Sequence, residues 1–493
     1  PVDYISETYG FRPDDAWFEK ARLGALRLSN CSASFVSPNG LVLTNHHCVR
    51  EFVTQVSGED ETLLDDGFVA RDLADERSVE DFQADQLVDI VDVTDEVNTA
   101  LDGLSSEQRG SARESLLGEI ESRILEEWGG EDSNHVVEMV SLYNGGRTSA
   151  YIFRRYTNAK LVMAPELQIG FFGGDPDNFT YPRYNLDFSF LRIYDDAGQP
   201  LSTENYFQFD DDGLAAGDPI FIVGNPGSTS RLQTVAELGF RRDVNDRSVL
   251  DLLRSRMEVL DSYIRGFPED AEERDLRNTY FSLSNSLKAY TGQVRGLGDP
   301  IIIARRKHTE RSFQAAIDAD PTLSARYGSL IADMAEQQDR KRTQAPGFGA
   351  FLAMTSPDMA SSTLHRALIA FQILNARQNG APADAIEGLM EQLRGVPDQS
   401  PELDQALVEA RFQDFMHSYG DNSPLSTAVL QGMNVETRAA AVINGSQLQD
   451  SAAAVGTVEN NTLTMADPAL GIVRAYLPTF SQFQQIVASV FPQ

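Results

Sequence analysis

Histidines are the first candidates for chemistry in this chain of 493 residues, and two of them are adjacent. His46 and His47 stand directly before Cys48, where the apolar run 41–43 ends. A histidine at the end of a strand is well placed to act as a general base. A structural role in the turn is the alternative. The six histidines are His46, His47, His135, His308, His365 and His417.

A metal site at the histidine pair is not expected. Adjacent side chains on extended backbone point to opposite faces, so His46 and His47 would not converge on one ion. The chain also contains no HxxxH or HExxH spacing, the patterns that bring two histidines onto one face of a helix around zinc. The sequence therefore predicts neither a metal nor any other cofactor.

One carboxylate stands where it could serve such a base. Asp187 directly precedes the apolar segment 188–194, which has the composition of a strand. An aspartate at a strand entrance is ordinarily a solvated cap. The alternative is that Asp187 orients a histidine, as the aspartate of a Ser-His-Asp triad does.

The chain has only two cysteines, Cys31 and Cys48. Two are too few for a four-cysteine zinc site. If they pair, closing the loop between them stabilises the fold by roughly 3 kcal/mol, and the protein matures in an oxidising compartment. The other interpretation is two unpaired, buried thiols, and the spacing alone leaves both open.

Four stretches of sequence resemble one known family. They are ASFVSPNGLVLTNHHC at 33–48, GGDPDNFTYPR at 173–183 followed by Asp187 and Phe-Ser-Phe, IFIVGNPGSTSR at 220–231, and, more weakly, SNSLKAYTGQVRGL at 284–297. The first two are long and specific. Together they resemble the trypsin-like serine peptidases, and specifically the bacterial dipeptidyl-peptidase 7 and dipeptidyl-peptidase 11 family.

The resemblance implies roles for these residues. His47 is the implied general base, because the family's base directly precedes the cysteine, and Asp187 is the implied orienting carboxylate. Cys31 and Cys48 are implied to form a disulfide between neighbouring strands.

A second group of residues is implied to hold the free α-amine of a substrate. Asn178 matches the family's amine-binding asparagine, and Phe179 stands where the family commonly has tryptophan. Asn285, in the later helical region, is a weaker match for another amine-binding residue. An ammonium group needs hydrogen-bond acceptors, and an amide carbonyl provides one. The implied partners are therefore peptides with a free N-terminus, in an enzyme that releases dipeptides.

The family's nucleophile motif is missing. No Gly-x-Ser-Gly occurs in the sequence, and the nearest strings, 227–230 and 444–446, lack the context. We therefore expect the chain to correspond to roughly the first two-thirds of a family member, with the serine beyond Gln493. The alternative is a non-catalytic protein of trypsin-like fold, acting as a subunit or binding module of a cell-envelope complex. The presence of both His47 and Asp187 favours the peptidase, and the sequence downstream of Gln493 would decide.

The elements that must position these residues fall into two parts. A hairpin signal joins 33–36 to 41–43 through the turn residues Asn39 and Gly40. Further strand candidates are 88–93, 135–143, 149–156, 160–164, 188–194 and 219–223, and a helical insertion is predicted at 106–128.

Beyond about residue 237 apolar residues recur at steps of three and four, as in amphipathic helices. We therefore predict a β part at 1–237 and an α-helical part at 238–493. The resemblance makes the first a trypsin-like β-barrel, one portion of a double barrel. It makes the second a large all-α domain inserted into the second lobe.

The composition excludes several classes of function. The chain carries 41 Lys and Arg against 74 Asp and Glu, a formal charge of −33. A chain this acidic is poorly suited to bind nucleic acid or an anionic membrane surface. No apolar run approaches the ~18 residues of a membrane span. The first residues do not have the pattern of a signal peptide, so we expect that no signal peptide existed or that it was removed. The resemblance implies a periplasmic or extracellular location, with a homodimer or a larger complex as the further expectation.

Overall fold

The computed structural model describes residues 2–29, 31–171, 182, 184–225 and 232–490. The chain divides into two compact units, Pro1–Leu232 and Gln233–Gln493. The sequence predicts the change from strands to helices at residue 237.

The first unit is built on strands. Within the described ranges they form one ten-stranded antiparallel sheet with the order β4-β9-β10-β3-β2-β1-β6-β8-β7, and β5 also pairs with β9. The strands are β1 (Ala25–Leu28), β2 (Ser32–Phe35), β3 (Leu41–Thr44), β4 (Phe68–Val69), β5 (Arg77–Val79), β6 (Ala84–Asp92), β7 (His135–Leu142), β8 (Arg147–Tyr156), β9 (Ala159–Ala164) and β10 (Ser189–Ile193).

Short helices surround this sheet, with one long exception. The helices of the first unit are α1 (Val2–Tyr9), α2 (Asp15–Gly24), α3 (Arg50–Gln55), α4 (Leu63–Asp66), α5 (Thr94–Ala100), α6 (Ser106–Glu127) and α7 (Leu167–Gly170). Two 3-10 turns lie at His46–Cys48 and Tyr143–Gly145. The long helix α6 stands where the sequence predicted a helical insertion, and a capping box between Ser105 and Gln108 fixes its start.

The predicted hairpin is present. Strands β2 and β3 pair with Ser34 opposite Leu43 and Phe35 opposite Val42. Gly40 closes the turn with φ +67°, and a Cβ atom there would lie 2.6 Å from the carbonyl oxygen of Ile193. The turn therefore requires glycine both for its backbone conformation and for its close approach to β10.

Two apolar cores support the sheet. One lies under β1, β2, β3, β9 and β10 and includes Leu26, Phe35 and Leu161, each with no exposed surface. The other forms where α5 and α6 pack on β7 and β8.

The second unit is helical throughout its described part. Its helices are α8 (Val235–Phe240), α9 (Asp246–Gly266), α10 (Pro268–Glu273), α11 (Leu276–Leu297), α12 (Pro300–Ala319), α13 (Pro321–Tyr327), α14 (Leu330–Arg342), α15 (Ala345–Phe351), α16 (Ser362–Gln378), α17 (Ala383–Arg394), α18 (Pro401–Tyr419), α19 (Pro424–Leu430), α20 (Val435–Gly445), α21 (Ser451–Glu459) and α22 (Pro468–Val490). A π-helical turn at Arg241–Asn245 joins α8 to α9.

This unit contains its own cores. The larger one is formed chiefly by α15, α16, α18, α20 and α22, and a smaller one by α9, α11 and α18. Arg366 on α16 is fully buried. Its guanidinium donates to the carbonyl oxygens of Val396 and Pro397, at 3.0 and 2.9 Å, so it ties α16 to the chain that follows α17.

One strand prediction was wrong. The apolar run 219–223 has the composition of a strand, but the described strands offer it no ladder partner. Ile220 and Ile222 are 68% and 97% exposed, while the ring of Phe221 packs against Trp17 at a centroid distance of 4.8 Å. A strand needs a neighbour to receive its backbone hydrogen bonds, and composition cannot show whether one is there.

Within the described residues, no helix combines the length and the apolar character that crossing a membrane requires.

Candidate active site

The pairing of β3 with β10 brings the two predicted catalytic residues together. Thr44, the last residue of β3, lies opposite Ser189, the first residue of β10. Because the strands are antiparallel, the residues that follow β3 meet those that precede β10. The turn His46–Cys48 therefore lies beside Asp187.

The expected contact between His47 and Asp187 is present. His47 Nδ1 lies 2.8 Å from Asp187 Oδ2 and 3.1 Å from Oδ1. The backbone N–H of His47 also donates to Oδ1 at 3.0 Å. The carboxylate is 5% exposed and the imidazole 40% exposed, so solvent reaches the ring while the carboxylate stays shielded.

This arrangement fixes the tautomer of His47. A carboxylate accepts hydrogen bonds, so Nδ1 carries the proton that Asp187 receives. The lone pair then lies on Nε2, the atom that can take a proton from another group. The geometry is that of a base with an orienting carboxylate.

Asn45 also holds the carboxylate, a role that the sequence analysis missed. Its Nδ2 group donates to the backbone oxygen of Asp187 at 3.0 Å and to Oδ2 at 3.2 Å. The signal was available, since Asn45 is the amide directly before the histidine pair at the end of β3.

The surroundings favour an ionised Asp187. Burial alone would raise the pKa of this carboxyl group. The hydrogen bonds from the His47 side chain and backbone, together with the nearby positive charge of the imidazole, outweigh burial and hold the pKa below its ordinary value.

His46 has the opposite environment. It is fully buried, and burial, followed by the positive charge of Arg50, lowers its pKa to about 4. His46 is therefore neutral near pH 7. The choice of His47 over His46 as the partner of Asp187 agrees with the geometry.

The disulfide between Cys31 and Cys48 is present, with the two Cα atoms 6.2 Å apart. It links the start of β2 to the turn that carries His47. Thr44 Oγ1 adds a second link by donating to the carbonyl oxygen of Ser32 at 3.0 Å. The backbone on both sides of the histidine pair is therefore tied to the sheet.

Cys31, His47 and Cys48 place one candidate ligand atom each within 4.8 Å of one another. The two sulfur atoms are joined in the disulfide, so they are not thiolates and cannot bind zinc as cysteine ligands do. Of the described residues, this group is the one that suggests a metal site, and its chemistry does not fit one.

Asn178 and Phe179 lie outside the described residues. Asn285 is exposed on α11 of the second unit.

The chain belongs to the peptidase S46 family, whose model matches residues 1–490. It is 27% identical over 314 residues to an Asp/Glu-specific dipeptidyl-peptidase of Capnocytophaga gingivalis, covering 62% of this chain and 43% of that protein. It is 30% identical over 321 residues to dipeptidyl-peptidase 7 of Porphyromonas endodontalis, covering 61% and 37% respectively. The matched region thus spans less than half the length of these relatives.

Solved structures share the fold. The crystal structure of Porphyromonas endodontalis DPP11 in complex with the dipeptide Arg-Glu matches with a TM-score of 0.71 and 19% sequence identity. The match covers 95% of this chain and 70% of that one. The fold of this chain is therefore similar to that of DPP11.

Proposed function

We propose that this chain is the part of a serine dipeptidyl-peptidase that supplies the catalytic base and its carboxylate. The observation that carries the proposal is the His47–Asp187 pair, with the imidazole exposed and the carboxylate buried, in a chain of the peptidase S46 family. The dipeptidyl-peptidase relatives support the reaction class.

The proposed reaction is acyl transfer. Nε2 of His47 takes the proton of a serine hydroxyl, and the serine oxygen attacks the second peptide carbonyl of the substrate. The imidazolium then protonates the leaving amine, and the acyl-enzyme forms as the peptide bond breaks. Water, deprotonated by the same imidazole, hydrolyses the ester and releases the dipeptide. Asp187 holds the tautomer and stabilises the imidazolium throughout.

The proposed nucleophile is a serine carried by sequence beyond Gln493. The absence of Gly-x-Ser-Gly from residues 1–493 and the greater length of the relatives support this. The proposed amine-binding residues are Asn178 and Phe179, with Asn285 as a further contributor.

We also propose that the sheet is one portion of a trypsin-like double barrel, with the helical unit inserted in the second lobe. The segment 219–223 supports this, because it exposes a strand-like apolar run that a further strand would cover. The proposed location is the periplasm or the cell exterior, which the disulfide supports. Fractionation of the source cells tests it.

The activity is tested on the full-length gene product with chromogenic dipeptide substrates. We expect turnover of peptides with a free N-terminus, no turnover of N-acetylated peptides, and no loss on chelation. His47→Ala should lower kcat/KM by about 10³-fold or more. The matched control is His135→Ala, which removes a half-buried histidine from the same unit.

Asn178→Ala should weaken capture of the amine, raising KM and lowering kcat/KM. Equal turnover of acetylated and free peptides, or loss of activity on chelation, would overturn the mechanism. A full-length product without peptidase activity would favour a non-catalytic subunit of a cell-envelope complex.

A further inference from the structure

The buried ring of His46 is oriented mainly by the groups packed around it. It has no exposed surface, and neither ring nitrogen forms a hydrogen bond with the described residues. Hydrogen bonds usually orient buried polar side chains. Packing therefore determines most of the ring's position, together with a weak interaction with the backbone of Pro165 that does not reach hydrogen-bond geometry.

The ring packs directly on Gly170, the last residue of α7. A Cβ atom built on Gly170 would lie 2.7 Å from His46 Nδ1 and 2.8 Å from Cγ. Real Cβ atoms do not approach so closely, so any larger residue would force the ring and the helix apart. Glycine is required here by this contact, since the backbone does not have a positive φ.

The contact between His46 and Gly170 completes a closed chain of contacts that includes Asp187 and His47. Ile169, next to Gly170, accepts a hydrogen bond at 2.8 Å from the backbone N–H of Leu186. Leu186 precedes Asp187, and Asp187 binds His47, the neighbour of His46. The path therefore leads from His46 through α7 to Asp187 and returns through His47.

We propose that His46 is a positioning residue for the His47–Asp187 pair. Its neutral imidazole sets the distance between the turn His46–Cys48 and α7, and α7 fixes the backbone that presents Asp187. A change in the His46–Gly170 contact moves the carboxylate relative to the His47 ring. The inference rests on the proposed function only where it is tested by enzyme kinetics. Its test by NMR spectroscopy does not require the protein to be active.

The test is a double-mutant cycle at the two contacting residues. Gly170→Ala adds the Cβ atom that meets the ring, His46→Ala removes the ring, and the double variant removes the clash. The matched control is Gly118→Ala in α6, where an added Cβ has nothing within 4 Å. Tryptophan fluorescence confirms folding of each variant, because Trp17 and Trp128 both lie in the first unit.

Two quantities are measured. The first is the downfield proton resonance of the His47 Nδ1–H that Asp187 accepts, in the 493-residue chain labelled with ¹⁵N-histidine. The second is kcat/KM of the full-length product. We expect Gly170→Ala to shift or abolish the resonance and to lower kcat/KM about tenfold or more, mainly through kcat. His46→Ala should also lower kcat/KM, and the double variant should lie closer to wild type than either single variant, because the added methyl group fills part of the space that the ring leaves.

If Gly170→Ala matches Gly118→Ala in both measurements, or if the double variant is no better than Gly170→Ala, the inference is wrong. A purely structural contact would lower stability while leaving the resonance and kcat unchanged. If the wild-type product cleaves no peptide, the proposed function fails, and the resonance still decides the role of His46.

Discussion

His46 and His47 are neighbours in the chain, yet one is sealed in the interior and the other reaches solvent. The 3-10 turn that contains them sends the two rings to different surroundings. Of the two rings, that of His47 has the carboxylate partner and the solvent exposure. Two identical side chains therefore have different surroundings, and burial lowers the pKa of His46.

The buried histidine predicts a pH dependence of stability. The pKa of His46 falls from 6.5 to about 4 on folding, so the unfolded chain binds the proton more tightly. Above pH 6.5 the ring is neutral in both states, so it does not lower the free energy of unfolding. As the pH falls from 6.5 towards 4, the unfolded chain takes up the proton first, and the free energy of unfolding decreases by up to about 3 kcal/mol. Folding lowers the pKa of Asp187 from 3.8, so the stability that its ionised form contributes is lost only below pH 3.8.

Urea unfolding at pH 7 and at pH 4.5 measures this effect. Tryptophan fluorescence monitors the transition and reports on the first unit. We expect the wild type to lose more unfolding free energy between these pH values than His46→Leu. The control is His308→Leu, which removes an exposed histidine of the second unit. An identical pH dependence in His46→Leu and wild type would contradict the assignment of a neutral, buried His46.

At the scale of elements, the site depends on how the two ends of the β2–β3 hairpin are fixed. The disulfide ties the start of β2 to the turn after β3, and β10 pairs with β3 on the other side. The turn that carries His47 is only three residues long. Its position therefore follows from these strands and the disulfide.

Replacing both cysteines by alanine should lower the unfolding free energy of the first unit by about 3 kcal/mol, the value expected from closing a loop of this length. Urea unfolding by tryptophan fluorescence measures it, and reduction of the wild type should have a similar effect. The variant itself should be insensitive to reductant. The unreduced, denatured wild type should contain no reactive thiol, and titration of two would rule out the disulfide.

Much of the hairpin and of the contact between His47 and Asp187 could be predicted from sequence because their signals are local. Asn39 and Gly40 mark a tight turn, and the strings around His47 and Asp187 are long enough to recognise. The contact between His46 and Gly170 could not be predicted, since no spacing rule relates residues so far apart in the chain. The segment 219–223 was assigned wrongly because a strand depends on its neighbour as well as on its own composition.

At the scale of the molecule, the two units have separate cores. The buried guanidinium of Arg366 finds its carbonyl acceptors within the helical unit. A unit with its own cores and such internal hydrogen bonds has the properties of an independently folding domain.

We therefore expect residues 233–493, expressed alone, to fold with high helical content and to unfold cooperatively. Circular dichroism during thermal unfolding measures this. Arg366→Ala in the same fragment should lower the unfolding midpoint, because it leaves buried carbonyl groups without their donor, whereas Arg265→Ala, at an exposed site, should not. A fragment without a cooperative transition would show that this unit depends on the rest of the chain.

The hydrogen bonds from Asn45 to Asp187 have a consequence for the proposed catalytic cycle. The carboxylate receives hydrogen bonds from the Asn45 amide and from the His47 backbone as well as from the imidazole. If the ring turns away, two of these donors remain, so the negative charge stays aimed at the place to which the ring returns. Little solvent or protein reorganisation is then needed when the imidazolium forms, which is how preorganised dipoles lower an activation barrier.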